Sequence, residues 1–256
     1  MSALTVVKIG GSTLGSHDTA LEDLAALQGA GRRLVVVHGG GNTATDWLKV
    51  HGVASEFVDG LRVTGPDAID VVTAVFAGLV NKQLVAALQA LGARAIGISG
   101  ADGGLLCTRQ ADERLGFVGE VVRVDRSPID ALIGAGYMPV ISSIGYWGDK
   151  PGRLMNVNAD TVAGEVAAAL GAEDLVFLTD VAHVRGAEGE ALNEIEAGDV
   201  EGLIASGAAS GGMIPKLRAG VTAARAGARC YIVDGRVARA LNAALQGSPS
   251  GTRITA

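Results

Sequence analysis

Four short stretches place reactive or ligand-holding residues where buried backbone gives way to turns. Lys8 closes a β-branched run in VVKIGGS. A lysine among buried neighbours is costly unless its ammonium reaches the rim of the strand or an anion. In RLVVVHGGGN a buried run ends in Gly39, Gly40 and Gly41, which let the chain turn and let a ligand approach the peptide N–H groups. Asn42 or Thr43 is placed to cap the helix that follows and to aim its positive end at the same point. Gly10, Gly11 and Ser12 form a second turn of this type, so two loops could surround the oxygens of one polyanion. In NVNADTVAG, Asn156 and Asn158 lie two residues apart on an extended approach, Asn158 caps a helix, and Asp160 falls in its first turn. Pro215 opens another helix in GGMIPK, followed by Lys216, which opposes the helix dipole but is well placed to meet a phosphate. The plainer alternatives are edge exposure of Lys8, solvation of Lys216, a ligand-free turn at the three glycines, and a dipole-satisfying role for Asp160.

The elements that must position these residues follow from the alternation of the chain. Strand-like runs (LTVVKI, RLVVVH, ARAIGIS, YMPVIS, DLVFLT, ARCYIVD) alternate with amphipathic stretches such as TALEDLAALQGAG and AIDVVTAVFAGLVNKQLVAALQALG. This pattern predicts an α/β fold, a three-layer αβα sandwich around a mostly parallel open sheet. Such sheets bind ligands beyond the carboxyl ends of their strands. Two segments, 55–65 and 105–125, read as hairpins flanking a substrate site. A third, IGYWGDKPGRLMN, reads as a loop excursion or lid. No repeat or long linker is visible. A soft boundary near Gly171 divides a substrate lobe, 1–171, from a nucleotide lobe, 172–256.

Composition narrows the chemistry. A net charge of −6 speaks against a nucleic-acid partner, which asks for a basic face. Two cysteines and four histidines, with no CxxC or HExxH spacing, give no metal site. Apolar runs broken by glycine or charge predict no membrane span, and the N-terminus carries no secretory pattern, so a cytoplasmic protein is expected. Gly39, Gly41 and Ala44 do satisfy G-x-G-x-x-A, with Asp59 in roughly the place of a ribose-binding acid. That dinucleotide reading has no use for Lys8, and Asp59 falls at a hairpin. No G-x-x-x-x-G-K-[ST] occurs.

In order along the chain, KIGGS, VVHGGGN, DGLRVT, VNKQLV, GISGADGG, NVNADTVAG, LVFLTDV, SGGMIPK and YIVDGR resemble the amino acid kinase family. Within it the match is to the branch that phosphorylates the γ-carboxylate of N-acetyl-L-glutamate in arginine biosynthesis. The resemblance implies that Lys8 and Lys216 stabilise the phosphoryl group in flight and that Asp160 organises them. It implies Gly40, Gly41, Arg62, Asn156 and Asn158 at N-acetyl-L-glutamate, and Gly10, Gly11 and Ser12 near the phosphates. ATP with Mg²⁺ would be held by the C-terminal lobe, around Thr179, Asp180, His183, Val184, Gly212 and Met213. It further implies a homodimer, insensitive to arginine. A carboxylate nucleophile is already ionised at pH 7, so no general base is needed. One departure stands out: TDVAHV replaces the usual TDVPGV, with Ala182 for proline and His183 for glycine, so the loop beside the nucleotide is expected to follow another path. The rival readings are an acylaminoadipate kinase of lysine biosynthesis and a catalytically silent small-molecule sensor, and the joint presence of Lys8, Asp160 and Lys216 argues against the sensor.

Overall fold

Period-two alternation in strands buried on both faces sets the architecture of the computed structural model, which describes residues 3–10, 19–58, 60–247 and 250–256. Gly11, Ser12 and Asp59 lie outside the described residues. An eight-stranded sheet runs in the order Glu194–Glu196, Gly251–Thr255, Arg229–Asp234, Asp174–Thr179, Leu4–Ile9, Arg33–His38, Met138–Ser142, Ala95–Ser99. Every neighbouring pair is parallel except Arg229–Asp234 with Gly251–Thr255. Val6, Val35, Val37, Leu175, Phe177 and Ile232 join one core cluster, and Val7, Leu34, Val36, Val176, Leu178 and Val233 join the other. Successive residues thus point to opposite helical layers, which is the expected three-layer sandwich.

The first strand is central. Leu4–Ile9 pairs with Arg33–His38 on one side and Asp174–Thr179 on the other, so the chain winds away from it in both directions. A crevice opens at such a reversal, beyond the strand ends. Lys8 sits at that end, in register with Val37 and Phe177. It shares the face of Leu4 and Val6, the face packed by helices Ala159–Leu170 and Met213–Arg225.

Both expected hairpins are present, Phe57–Val58 with Leu61–Arg62, and Leu106–Gln110 with Val118–Val124. The segment read as a loop excursion is instead strand. Ile144–Trp147 and Leu154–Val157 pair antiparallel and close a four-stranded ring with the second hairpin. Gly148, Pro151 and Gly152 only turn this hairpin, and Gly145 lies within its first strand opposite Met155. Helix Gly41–Val50 also differs from expectation: Gly40 is its N-cap and no side chain fills the cap, so neither Asn42 nor Thr43 serves there. The long helix Pro66–Ala90 contains a π segment, Ala74–Val80. Length and composition alone would let this helix cross a membrane, although the apolar runs read as too broken for that. Its residues Val72, Val75, Phe76, Val80, Leu84 and Leu88 pack into the core, while Asp67, Asp70 and Lys82 are exposed.

Candidate active site

Strand alternation brings Lys8 under the start of helix Ala159–Leu170, and helix Met213–Arg225 delivers Lys216 to the same point. Lys8 Nζ lies 2.9 Å from Asp160 Oδ1, and Lys216 Nζ lies 3.0 Å from that same oxygen. Lys8, Asp160 and Lys216 are 9%, 7% and 5% exposed, so one carboxylate carries two largely buried lysines. Burial alone would raise the Asp160 carboxyl, but the charges of Lys8 and Lys216 outweigh it and hold the group below its ordinary value. Burial lowers the Lys216 ammonium, against the pull of Asp160. Its Nζ also stands 5.2 Å over the Phe177 ring. Two cations share one anion, leaving a net positive charge in a low-dielectric corner. Such a corner attracts an anion and stabilises negative charge that develops nearby.

A cavity of about 220 Å³ opens directly above, lined by Lys8, Asp160, Gly40, Gly41, Arg62, Asn156 and Asn158 among others. The start of helix Gly41–Val50 has no side-chain cap, and Gly39, Gly40 and Gly41 line this space, so helix-start backbone borders the cavity as an anion site requires. Arg62 is buried. It donates to Gly41 O and Thr45 Oγ1 at 2.8 Å each and to Ser55 Oγ, and it lies 4.6 Å over the Phe57 ring. All these acceptors are neutral. The guanidinium is therefore oriented but not charge-compensated among the described residues, and burial lowers its ordinarily very high pKa. Asn156 Nδ2 donates to Thr64 Oγ1 at 3.0 Å, and Thr64 in turn donates to Arg62 O, tying the hairpin to the strand Leu154–Val157. Asn158 caps its helix as expected, its Oδ1 accepting from the N–H groups of Asp160 and Thr161 at 2.9 and 3.1 Å.

The described residues expected on the nucleotide side do not line this cavity. Gly10 N–H donates to Leu178 O at 3.2 Å, at the end of the first strand. Thr179 Oγ1 donates to Asp180 Oδ1 at 3.3 Å, and Arg236 holds Asp180 O at 2.7 Å. Gly212 is the N-cap of the Lys216 helix and Met213 its first residue, packed against the core. Val184 faces the core, and its N–H is taken by Thr252 Oγ1. His183 is half-buried and outside the left-handed region: among the described residues only Arg239 is a non-glycine with positive φ. The backbone at His183 thus asks for no glycine.

Sequence reasoning missed several cavity residues. Ser143 lines the cavity with a buried hydroxyl that has no hydrogen-bond partner among the described residues. Its position just past the carboxyl end of strand Met138–Ser142 was the available signal. Phe76 and Val80 press on Gly40, where an added Cβ would lie 2.9 Å from the Phe76 ring. This contact explains why that position is glycine although its φ is ordinary.

A sequence profile of the amino acid kinase family matches residues 3–234. An acetylglutamate kinase from Dehalococcoides mccartyi strain 195 is 46% identical over 255 residues, covering 98% of this chain and 94% of that protein. A solved structure from Streptococcus mutans superposes with a TM-score of 0.86 at 29% identity, covering 100% of this chain and 99% of that one. The carbamate kinase of Giardia lamblia, solved with AMP-PNP, shares the fold at a TM-score of 0.71 and 19% identity, covering 99% of this chain and 98% of that one. With identity near one half along almost the whole of both chains, and the same fold recovered where identity has fallen far lower, the chain belongs to the amino acid kinase family.

Proposed function

We propose that this protein transfers the γ-phosphoryl group of ATP to the γ-carboxylate of N-acetyl-L-glutamate, yielding N-acetylglutamyl 5-phosphate and ADP. The observation that carries the reading is the pair of lysines converging on Asp160 at the floor of a cavity with an uncompensated Arg62 in its wall. The similarity to acetylglutamate kinases supports the substrate. A carboxylate oxygen attacks the γ-phosphorus, the new O–P bond forms as the β–γ bridging bond breaks, and ADP leaves. Two anions must be brought together, so catalysis rests on placed positive charge and backbone N–H donors. Lys8 and Lys216 supply the charge, Asp160 holds them at one spacing, and Gly40 and Gly41 present amides. Arg62 and Asn156 hold the amino-acid substrate, with the Nδ2 of Asn158 beside them. Both lysines bond Asp160 at Oδ1, which suits it to orienting them, and an ionised substrate carboxylate asks for no base. Mg²⁺ would be held by the ATP phosphates, whose oxygens can supply most of its ligands.

In this reading residues 1–171 form the amino-acid lobe and 172–256 the nucleotide lobe, with Gly10, Gly11, Ser12, Thr179, Asp180, His183, Val184, Gly212 and Met213 around ATP. The protein acts in the cytoplasm as a homodimer, without nucleic acid or membrane. Trp47 and Val50, 42% and 82% exposed on helix Gly41–Val50, offer apolar surface to a second copy. An ATP-dependent hydroxamate assay comparing N-acetylglutamate, acetylaminoadipate, glutamate and aspartate tests the substrate. N-acetylglutamate should show the highest kcat/KM; a preference for acetylaminoadipate would move the protein to the lysine branch, and silence with all four would leave a sensor.

A further inference from the structure

The glycine loop is fastened from the face of the sheet opposite Lys8. His38 ends strand Arg33–His38 and is fully buried. Its Nδ1 lies 2.7 Å from the carbonyl of Gly39, and its Nε2 lies 3.0 Å from Asn81 Nδ2. The Asn81 amide cannot be turned over without loss. Nδ2 also faces two backbone carbonyls, Val140 O at 2.9 Å and, more distantly, Ile98 O at 3.4 Å, and Oδ1 accepts from the Lys82 ammonium at 3.0 Å, partners that are acceptor-only and donor-only. Asn81 therefore donates to Nε2, Nε2 must be unprotonated, and the ring proton must sit on Nδ1, facing Gly39 O. Burial holds the imidazole neutral, pushing it down to about 4, and the nearby charges of Lys8 and Lys82 act in the same direction.

Two further features exist to make room for this chain of contacts. The π segment Ala74–Val80 ends immediately before Asn81, and π-bulges within α-helices recur at functional sites. It sets Phe76 and Val80 against Gly40 while Asn81 reaches His38. Gly97, on strand Ala95–Ser99, has no side chain because a Cβ there would overlap Asn81 Oδ1.

We propose that His38 and Asn81 are positioning residues for phosphoryl transfer: the locked imidazole pulls the Gly39 carbonyl to its own side and so aims the Gly40 N–H into the cavity. In a trans peptide the C=O and the next N–H point in opposite directions, so fixing one fixes the other. Gly40 lines the cavity, and no described residue accepts from its N–H. This assignment rests on the phosphotransfer reading above and adds to it the device that holds one of its oxyanion donors.

Two substitutions separate the halves of the ring. An asparagine amide overlays Nδ1, and a glutamine amide overlays Nε2. His38→Asn keeps a donor for Gly39 O, whereas His38→Gln keeps only the contact with Asn81. His38→Gln should lower kcat roughly ten- to hundredfold, as expected when an oxyanion donor drifts, with little change in the KM for N-acetylglutamate. His38→Asn should restore kcat to within a few-fold of the parent even if both variants lose thermal stability. Equal kcat in the two folded variants would overturn the proposal. The parent supplies a reading that needs no variant. Imidazole ¹⁵N shifts should show Nδ1 protonated and Nε2 bare at pH 7, and finding the opposite tautomer or an imidazolium would overturn the proposal as well. A parent inactive on every substrate would sink the phosphotransfer reading instead, while the tautomer and the Gly40 amide shift in the His38 variants would still decide the positioning.

Discussion

Lys8 and Lys216 meet the same oxygen of Asp160, yet they need not matter equally to substrate binding and to turnover. Their charge is most useful as negative charge spreads over the transferring group, so Lys8→Ala and Lys216→Ala should lower kcat far more than they raise KM. Loss of one such donor should cost on the order of 3 kcal/mol in the barrier, by analogy with deletion of oxyanion-hole donors. Steady-state kinetics on the folded variants checks this, and a change confined to KM would remove the lysine from the chemistry. Arg62 should behave in the opposite way. Its fork is already oriented by Gly41 O, Thr45 and Ser55, leaving its charge to a substrate carboxylate. Arg62→Lys cannot reproduce the paired geometry, so the KM for N-acetylglutamate should rise strongly with the ATP KM nearly constant. An effect on ATP alone would reverse the assignment of substrates to lobes.

At the scale of elements, the site depends on how closely two helices cross. Gly164 lies one turn beyond Asp160 on its helix, and Ala219 lies three residues beyond Lys216 on the other, so their contact sits directly behind the ion pair. A Cβ on Gly164 would stand 2.6 Å from Ala219 O and 2.9 Å from Ala219 Cα, neither of which can swing aside. Gly164→Ala should destabilise the fold by about 1–3 kcal/mol through overpacking and lower kcat by separating Lys216 from Asp160. Denaturant titration together with kinetics tests both effects. For the His183 loop, whose backbone is unstrained, His183→Gly should alter the ATP KM or nucleotide preference and leave the N-acetylglutamate KM alone. Much at this scale was legible in the sequence, because buried strands, helix periodicity and glycine turns are local properties. Asn158 as a cap and both hairpins followed from such signals. The rest was hidden for physical reasons. The π segment leaves the apolar periodicity of Pro66–Ala90 nearly unchanged while turning Asn81 toward a partner 43 residues away. The empty cap at Gly40 could not be inferred either, because Asn42 and Thr43 are both competent caps until the backbone path is known.

For the whole molecule, two buried groups link stability to pH. His38 has a folded-state value of about 4 against an ordinary 6.5, so the unfolded chain takes up its proton first as acid is added. Stability present above pH 6.5 should be lost between pH 6.5 and 4, on the order of 3 kcal/mol for this group. Asp160, held below its ordinary value, gives stability that persists above that value and fades only at more acid pH. Urea titrations of the parent and His38→Asn across this range separate the two, since the variant should lack the loss nearer neutrality. Sedimentation should report twice the 25.7 kDa chain mass, and a concentration-independent monomer would remove the homodimer. The central place of Leu4–Ile9 also has a consequence for biogenesis. Its second neighbour, Asp174–Thr179, is far off in sequence, with Thr5 and Asp174 side chains bonded across 169 residues. During translation, the strand destined for the middle of the sheet is an open edge until most of the protein has been made. Unpaired edges of this kind invite association between nascent chains, which makes the first half of the polypeptide a client for chaperones and ties the risk of aggregation to ribosome pausing before Asp174 emerges.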